Sequence, residues 1–492
     1  MGKIRNLLAF DLGASNGRAI LGRFDGERIQ MTELHRFENN YIEMNGVYYW
    51  DTPYLYSQLK QGLLAFRRGD YGPLDSFGID TWGVDYGLLD KNGHLLGLPR
   101  SYRLGVQADI DAVTEKIPKE VLYSRSGIDP ALTFNTLYQL YRRKREGDVA
   151  LAAADKLLLT PDLLGYFLTG TMGTEYTIAT TTQLYNPTTG DWDWETIDAL
   201  ELPRHIFTKI EKSGTIRGHL RPELCQELGL NPAAFVAVGG HDSASSVAAI
   251  PGSGSFAFCS SGTFSLVGVE TDRAVLTAQN MALGFSHEGT VQGGFRPLRN
   301  IIGLWLIQEC RREWSRAGAE YGWDAIVELA RAAEPLRSLI DTDAPEFYAG
   351  GDMVNKIQRF CQRTSQPVPE TVGQIARCIY ESLALKYRLA LEGLERMKGE
   401  PIASMNIVGG GIQNKLLNQM AADATGRPVT TGPVEGAAMG NLLTQAMALG
   451  DLADMDALRQ VVRASTFVET YEPHPSPEWE RAYERLLTFL SE

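Results

Sequence analysis

Residues 6–18 read NLLAFDLGASNGR, an apolar run that ends at an aspartate and a turn of small residues. The apolar run predicts a buried strand, and ASNG predicts a tight turn into a second strand, GRAILGR. A third strand-like run, RIQMTELH, follows the turn FDGE. The first 35 residues therefore predict an antiparallel meander.

The rest of the N-terminal half alternates between helical and strand-like patterns. Residues 52–66 predict a helix, LDSFGID and VDYGLLD predict strands, and residues 108–168 are predominantly helical. Near residue 235 the strand-like run FVAVGG passes into SASSVAAI, which predicts a helix. This half of the chain therefore mixes strands and helices.

Beyond residue 250 the sequence repeats this arrangement. FAFCSSGTFSLVGV and HEGTVQGGFR predict strands around glycine turns, and MNIVGGG predicts a strand before the helix QNKLLNQMAADATG. Apolar residues recur at every fourth position over 375–391, as on a helix face that packs against a sheet. We therefore predict an α/β protein with two domains, 1–244 and 245–492, packed face to face around a cleft.

Composition limits the class of protein. The chain has 492 residues, 44% of them hydrophobic, and is longer than one hydrophobic core usually serves. A net charge of -13 argues against nucleic-acid binding. The five cysteines lack the spacing of a metal or redox pair, and no run suits a signal peptide or a membrane span. We expect a cytoplasmic protein, monomeric or a small homo-oligomer, with no membrane or nucleic-acid partner.

Three glycine-bearing turns are candidates for holding a phosphate chain: DLGASNGR at 11–18, SSGTFS at 260–265 and VGGGIQN at 408–414. None is a Walker A loop, and none has the glycine spacing of a dinucleotide-binding fold. Glycine lets main-chain N–H groups approach phosphate oxygens, and Ser15, Ser261 and Thr263 can add hydroxyl donors. Tight hairpins use the same residues for backbone geometry alone, so each turn by itself leaves that alternative open.

Together the three turns match the pattern of actin-like ATPases, and longer stretches narrow the match. The chain resembles the FGGY family of carbohydrate kinases over nearly its whole length. The stretches that carry the resemblance are AFDLGASNGR, FGIDTWGVDYGLLD, SRSGIDPALTFNTLYQL, ATTTQLYNP, GGHDSAS, SSGTFSL, RNIIGLWLIQ, NIVGGGIQN and GPVEGAAMGN. The resemblance implies two ribonuclease H-like domains with an active-site cleft between them, with ATP and Mg²⁺ as nucleotide and metal.

The resemblance also implies roles for individual residues. Asp11 is similar to a carboxylate that supports the metal through water. The residues implied on the sugar side are Gly83, His241, Asp242, Ser243 and Asn300. The residues implied on the nucleotide side are Gly13, Ala14, Ser15, Asn16, Gly17, Arg18, Thr263, Gln308, Gly410 and Gly411, with Gly262 and Asn414 beside them.

Phosphoryl transfer needs an oriented hydroxyl, a base for its proton and donors for the phosphate oxygens. Asp242 lies between the strand FVAVGG and the helix SASSVAAI and is the predicted catalytic base. The positive end of that helix is expected to favour its charged form. The alternative from local sequence is that Asp242 is the N-cap of the helix, and both roles can hold together.

The sugar-side runs DTWGVDYGLLD, FNTLYQL and ATTTQL most closely resemble family members that act on L-rhamnulose. We therefore expect an ATP-dependent kinase that forms L-rhamnulose 1-phosphate, with another ketose, L-fuculose or L-xylulose, as the alternative substrate. The methyl group of such a sugar needs an apolar corner, for which Trp82, Phe134 and Leu137 are candidates.

Three alternative functions explain fewer of the features of the sequence. Asp80 and Asp85 could form the carboxylate pair of a glycoside hydrolase, but that function leaves the phosphate turns unexplained. A non-catalytic sugar sensor would need a basic DNA-binding extension, whereas this chain is acidic and its first phosphate turn starts at Asp11. An actin-like or chaperone-like ATPase would lack a base on the sugar side.

Overall fold

The computed structural model describes residues 4–252 and 254–490. In chain order its strands are β1 (Arg5–Leu12), β2 (Asn16–Phe24), β3 (Ile29–Glu38), β4 (Tyr41–Met44), β5 (Val47–Trp50), β6 (Ser76–Thr81), β7 (Tyr86–Leu89), β8 (Lys156–Leu159), β9 (Thr174–Glu175), β10 (Tyr185–Asn186), β11 (Asp191–Trp192), β12 (Ile210–Glu211), β13 (Thr215–His219), β14 (Ala234–Ala237), β15 (Phe256–Ser261), β16 (Phe264–Gly268), β17 (Phe285–Gly289), β18 (Phe295–Ile302), β19 (Ser404–Val408), β20 (Val429–Thr431) and β21 (Glu469–Tyr471).

The α-helices follow the predicted helical segments and add several short ones. In chain order they are α1 (Thr52–Arg68), α2 (Gln107–Thr114), α3 (Lys119–Ser126), α4 (Thr136–Arg145), α5 (Val149–Ala153), α6 (Thr160–Thr169), α7 (Tyr176–Thr180), α8 (Trp194–Ala199), α9 (Pro222–Leu228), α10 (Asp242–Ala248), α11 (Ala278–Ala282), α12 (Trp305–Arg316), α13 (Trp323–Ala332), α14 (Met353–Arg363), α15 (Val372–Lys398), α16 (Lys415–Thr425), α17 (Gly436–Ala448), α18 (Met455–Ser465) and α19 (Pro477–Phe489).

The chain forms two compact units that alternate along the sequence. The first comprises Met1–Pro251, Glu270–Pro297 and Glu435–Thr466, and the second comprises Gly252–Val269, Leu298–Val434 and Phe467–Glu492. The division into consecutive domains, 1–244 and 245–492, stays a prediction. In the structure α17 and α18, which come late in the chain, belong to the first unit because their apolar residues help to cover its sheet.

A mixed six-stranded sheet forms the centre of the first unit, in the order β13-β14-β6-β1-β2-β3. The strands β1, β2 and β3 are antiparallel neighbours, which confirms the predicted meander. On the other side, β6 runs parallel to β1, and β14 runs parallel to β6. The carboxyl ends of β1, β6 and β14 therefore lie at the same edge of the sheet.

The strand β1 reads as an almost unbroken apolar run because both faces of this sheet are covered. Leu8 and Phe10 lie in a core with residues of α1, α6 and α9. Leu7 and Ala9 alternate with them and lie in a core with residues of α10, α17 and α18. A further core of the same unit joins α2 and α4 to β7, β8 and α7.

The second unit contains a sheet in the order β18-β16-β15-β19-β20-β21. Its central strands β15, β19 and β20 are parallel, and β15 forms the predicted hairpin with β16. The helix α15 carries the apolar stripe predicted over 375–391, whose members are all buried. A capping box of Thr371 and Gln374 starts this helix, and Gly399, with a φ of 74°, ends it.

Both units are thus of the predicted α/β class. The run FVAVGG forms β14 and SASSVAAI forms α10, and the segment 108–168 contains α2 to α6 with β8 among them. In the described part of the chain, every helix is too short or too polar to cross a membrane.

Candidate active site

Polar residues meet at the edge of the first unit's sheet where β1, β6 and β14 end. Asp11 of β1 lies opposite Asp80 of β6 in the parallel register. Thr81, the last residue of β6, donates its N–H to the carbonyl oxygen of Gly240 at 2.9 Å and pairs with His241. Because ligands bind beyond the carboxyl ends of parallel strands, this edge is the candidate active site.

Asp242 is the first residue of α10 and directly follows His241, which is the N-cap. Its Oδ1 accepts the N–H of Ser243 at 2.6 Å, and 30% of its side chain stays exposed. Burial among protein atoms raises the pKa of Asp242 to about 6, although the charge of His241 opposes the rise. We expected the helix start to favour the charged form, but burial outweighs that effect. A carboxyl with this pKa is still ionised at neutral pH and can accept a proton.

Asp80 differs from Asp242 because it is fully buried. Burial, and then the negative charge of Asp11, raise the pKa of Asp80 well above its usual value. Asn441 of α17 donates its Nδ2 to Oδ2 of Asp80 at 2.6 Å. The raised pKa favours protonation of Asp80, and its partner on α17 points to a structural role. Sequence reasoning had considered Asp80 only as one of a pair of hydrolase carboxyls.

A buried network fixes His241 beside Asp242. The Nδ1 of His241 lies 3.0 Å from the carboxylate of Glu288, and its Nε2 lies 3.5 Å from that of Asp242. Arg296 is 0% exposed, pairs with Glu288 and donates to the carbonyl oxygen of Gly289 at 3.0 Å. Burial alone would raise the pKa of Glu288, but the charges of Arg296 and His241 outweigh it and hold that pKa at about 2. Glu288 is thus ionised at neutral pH and holds the imidazole of His241 by an ion pair.

Glu175 supports the loop that leads to Asp242. Its Oε2 accepts the N–H of Gly240 at 2.9 Å and the hydroxyl of Thr177 at 2.6 Å. Thr177 in turn accepts the N–H of His241 at 3.2 Å. Sequence reasoning missed Glu175, Glu288 and Arg296, because each acts on residues far along the chain and no motif or spacing marks it.

The predicted phosphate turn over residues 13–18 comprises the connection between β1 and β2, residues 13–15, and the first three residues of β2. Asn39 holds this turn by donating its Nδ2 to the carbonyl oxygen of Gly13 at 2.7 Å and its N–H to that of Ser15 at 3.0 Å. Ser15 and Asn16 are exposed at its tip. The turn therefore presents main-chain and hydroxyl groups in a fixed conformation, and the phosphate contacts predicted for it stay predictions.

Arg18 lies at the end of this turn between two carboxylates. It donates to Asp11 at 2.7 Å and also pairs with Glu435, directly before α17. Gly17 is buried next to it, and a Cβ at that position would lie 2.3 Å from the ring of Phe37. The guanidinium of Arg18 is thus positioned by residues from two distant parts of the chain.

Gly83 lies in the turn after β6 and is partly exposed between two buried residues, Trp82 and Val84. Of the residues considered for an apolar corner, Trp82 is 5% exposed and Phe134 is partly buried. Leu137 is 0% exposed and lies in the core with α2 and β8. That residue therefore packs the core and has no surface to offer a sugar methyl group.

In the second unit, the end of β15 packs against the glycines that follow β19. Gly409 has a φ of 85°, a conformation that favours glycine. A Cβ at Gly411 would lie 2.0 Å from the Oγ of Ser261, whereas a Cβ at Gly410 would enter open space. Gly411 is therefore required for packing, and Gly410 is the position with room for a ligand.

The remaining predicted residues of this unit are Thr263, Gln308 and Asn414 on the nucleotide side and Asn300 on the sugar side, and each has different hydrogen-bond surroundings. The hydroxyl of Thr263 donates to Gln308 at 3.4 Å. Asn414 caps α16, where its Oδ1 accepts the N–H of Leu417 at 3.0 Å. The Oδ1 of Asn300, on β18, is buried and has no hydrogen-bond partner among the residues the structure describes. That oxygen can accept a hydrogen bond from a ligand hydroxyl.

The donor set of the first unit fits a metal that arrives bound to a nucleotide. Within residues 4–252 and 254–490, no group of three His, Cys, Asp or Glu side chains could hold a metal ion. Asp11 is a carboxylate close to Asp80 and Asp242, whose charges affect one another. Mg²⁺ usually keeps several waters and takes few protein ligands, which suits one carboxylate acting through water.

One known family and its members match nearly the whole chain. The N-terminal domain of the FGGY family of carbohydrate kinases matches residues 6–249, and its C-terminal domain matches residues 257–449. A rhamnulokinase from Bacteroides thetaiotaomicron is 43% identical over 485 residues, which cover 97% of this chain and 98% of the relative. A rhamnulokinase from Halalkalibacterium halodurans is 39% identical over 465 residues, with coverage of 94% and 98%.

Solved structures agree with the fold described above. A ligand-bound xylulose kinase from Lactobacillus acidophilus superimposes with a TM-score of 0.81 at 16% identity, covering 99% of this chain and 97% of the other. A Plasmodium falciparum glycerol kinase with ADP gives a TM-score of 0.74 at 15% identity and covers 99% of each chain. At such identities the likeness concerns the fold alone, and it confirms the predicted two-domain α/β class.

Proposed function

The chain belongs to the FGGY family of carbohydrate kinases, and from this premise we propose that it phosphorylates L-rhamnulose at the C1 hydroxyl with ATP, a step of L-rhamnose catabolism. The products are L-rhamnulose 1-phosphate and ADP. The observation that carries the proposal is the similarity to rhamnulokinases over nearly the whole chain. The ionisable Asp242 at the sheet edge supplies the base that this chemistry needs.

Asp242 acts on the sugar hydroxyl. Its carboxylate takes the hydroxyl proton as the oxygen attacks the γ-phosphorus, and the bond between that phosphorus and the leaving oxygen of ADP breaks. A pKa of about 6 leaves Asp242 ionised at neutral pH and basic enough to hold the proton. His241 and Ser243 flank the base and are the proposed sugar contacts, with Gly83 and Asn300.

The phosphate chain needs donors for the negative charge on its oxygens. In the first unit these are the main-chain groups of residues 13–17 and the guanidinium of Arg18. In the second unit Thr263, Gln308 and Gly410 are the proposed nucleotide contacts, next to Gly411. When bound with ATP, Mg²⁺ would neutralise phosphate charge, and Asp11 would hold its waters.

An ADP-release assay with Mg-ATP tests the substrate. The panel is L-rhamnulose, L-fuculose, L-xylulose, D-fructose and glycerol, with sugar-free Mg-ATP as the background control. We expect kcat/KM to be highest for L-rhamnulose, because a site that hydrogen-bonds particular hydroxyls rejects epimers that leave its groups unpaired. A preference for L-fuculose or L-xylulose would move the proposal to that ketose. No ADP release with any of the five compounds would contradict it.

Alanine substitutions at the adjacent Gly410 and Gly411 distinguish a glycine needed for packing from a glycine that contacts the nucleotide. We expect Gly411→Ala to lower the free energy of unfolding by about 1–3 kcal/mol, because its Cβ would collide with Ser261. Gly410→Ala has room for its Cβ and should keep the stability of the wild type, yet raise KM for ATP several-fold if the nucleotide lies against this residue. Urea unfolding and KM measurements check both. An unchanged KM for ATP in Gly410→Ala would remove Gly410 from the nucleotide site.

A further inference from the structure

The turn after β6 is held in a strained conformation beside the candidate active site. Asp85 donates its N–H to the carbonyl oxygen of Gly83 at 2.9 Å, and Val84 between them has a φ of 68°. This is the rare γ-turn with positive φ, and a β-branched residue adopts that conformation only when its surroundings enforce it. Such strain persists where a structure over-determines the backbone, often at ligand sites.

The surroundings of Val84 supply that enforcement through three side chains. Thr181 accepts its N–H at 3.1 Å, and Thr136 donates to its carbonyl oxygen at 2.6 Å. Gln139 donates to the same oxygen at 3.4 Å and to the carboxylate of Asp85 at 3.1 Å. These partners come from α4 and from the residue that follows α7. The turn is therefore fixed from two separate elements of the first unit.

Asp85 is the centre of this arrangement. It is 1% exposed, and its Oδ2 accepts the indole N–H of Trp50 at 2.6 Å, that of Trp82 at 3.0 Å and the main-chain N–H of Tyr102 at 3.3 Å. The centroids of the Trp50 and Trp82 rings lie 4.2 Å apart. One carboxylate thus ties β5 and the residues on both sides of Gly83 into one rigid assembly.

The assembly lies next to the proposed catalytic loop. Thr81, directly before the turn, donates its N–H to the carbonyl oxygen of Gly240, and its hydroxyl donates to that of Trp82 at 2.8 Å. Gly83 is the partly exposed residue of the turn, and a Cβ there would lie 3.2 Å from the side chain of Thr181. The main chain at Gly83 is therefore a part of this assembly that a bound molecule can reach.

We propose that Asp85 is a positioning residue for ketose recognition, which holds the strained turn so that the main chain of Gly83 meets the sugar beside Asp242. The proposal rests on the kinase function proposed above and assigns Asp85 no part in proton transfer. The four hydrogen bonds that Asp85 accepts explain why a carboxylate is buried here. A glycoside hydrolase role for Asp80 and Asp85 is therefore not needed.

Two variants loosen the assembly to different degrees. Trp50→Phe keeps an aromatic ring and removes one donor to Asp85, and Asp85→Asn removes the charge that all four donors share. The matched control is Trp192→Phe, since Trp192 is also buried and donates its indole N–H, at 2.7 Å, to the carbonyl oxygen of Thr208. The control therefore loses an equivalent hydrogen bond that does not involve the turn.

Steady-state kinetics with the preferred ketose of the wild type and with Mg-ATP supply the test. We expect KM for the sugar to rise about fivefold in Trp50→Phe and more than tenfold in Asp85→Asn. KM for ATP should stay within twofold, and Trp192→Phe should match the wild type. A purely structural role would lower the active fraction, and with it kcat, without shifting KM for the sugar.

The outcomes separate this inference from the function on which it rests. An unchanged KM for the sugar in a folded Trp50→Phe protein would overturn the role of Asp85 while leaving the kinase proposal intact. Equal shifts in Trp50→Phe and Trp192→Phe, or parallel shifts in both KM values, would overturn it as well. A wild type that phosphorylates no ketose of the panel would contradict the kinase function, and the role of Asp85 with it.

Discussion

Replacement of Asp242 by asparagine is expected to lower kcat by about 10²–10⁴-fold, the usual contribution of a general base. The amide has nearly the shape of the carboxylate and can still accept the N–H of Ser243 through Oδ1. It cannot take the proton of the sugar hydroxyl. KM for the sugar and for ATP should therefore stay within a few-fold, so that the loss is in turnover. Near-normal turnover of Asp242→Asn would remove this residue from the role of base.

Asp80→Asn is the matched control, since it changes a second carboxyl of the same cluster. Burial raises the pKa of Asp80 well above its usual value, which favours protonation, and asparagine resembles the protonated acid in shape and charge. We expect turnover within a few-fold of the wild type. A raised folded-state pKa costs stability as pH rises above the unfolded value, so Asp80→Asn should be at least as stable as the wild type at pH 8. A loss of turnover equal to that of Asp242→Asn would show that Asp80 is used as an anion.

The pH dependence of the wild type offers an independent check on the same base. Asp242 must be ionised to accept a proton, and its pKa is raised to about 6. The kcat at saturating sugar should therefore fall as pH drops below about 6 and be level above it, whereas Asp85, whose pKa burial also raises to about 6, is expected to act on KM for the sugar. The residual activity of Asp242→Asn should lack this fall if Asp242 is its source.

The largest expected effect on stability comes from Gly440→Ala in α17. A Cβ at this position would lie 1.8 Å from the carbonyl oxygen of Ser245 in α10, and backbone atoms cannot rotate away as a side chain can. The two helices must separate, so we expect the free energy of unfolding to fall by about 3 kcal/mol, the upper part of the range for overpacking. Because α10 begins with Asp242, kcat should fall as well.

Gly436→Ala is the control for that change, because it places the same side chain on the same helix. A Cβ there would lie 3.5 Å from the nearest atoms of Ser246, an ordinary contact distance. Urea unfolding of both variants and of the wild type measures the difference. Equal stability of Gly440→Ala and Gly436→Ala would contradict the close approach of α10 and α17 seen in the structure.

Local patterns account for what could be predicted from the sequence. The meander of β1 to β3, the strand–loop–helix around Asp242 and the stripe on α15 are each encoded within about 35 consecutive residues. Periodicity and turn residues report such short-range structure directly. The division into consecutive domains is a different kind of inference, because it depends on which distant segments, such as α17 and α18, pack together.

By itself the sequence determined the α/β class, the position of Asp242 after β14 and the family, since each depends on a contiguous motif. Only the tertiary structure decided the partners of these residues. Glu288 and Arg296 hold His241, Asn441 donates to Asp80 across 361 residues, and Trp50 donates to Asp85 across 35. The direction of the pKa shift of Asp242 was also a tertiary property, because desolvation depends on every segment that surrounds the carboxyl.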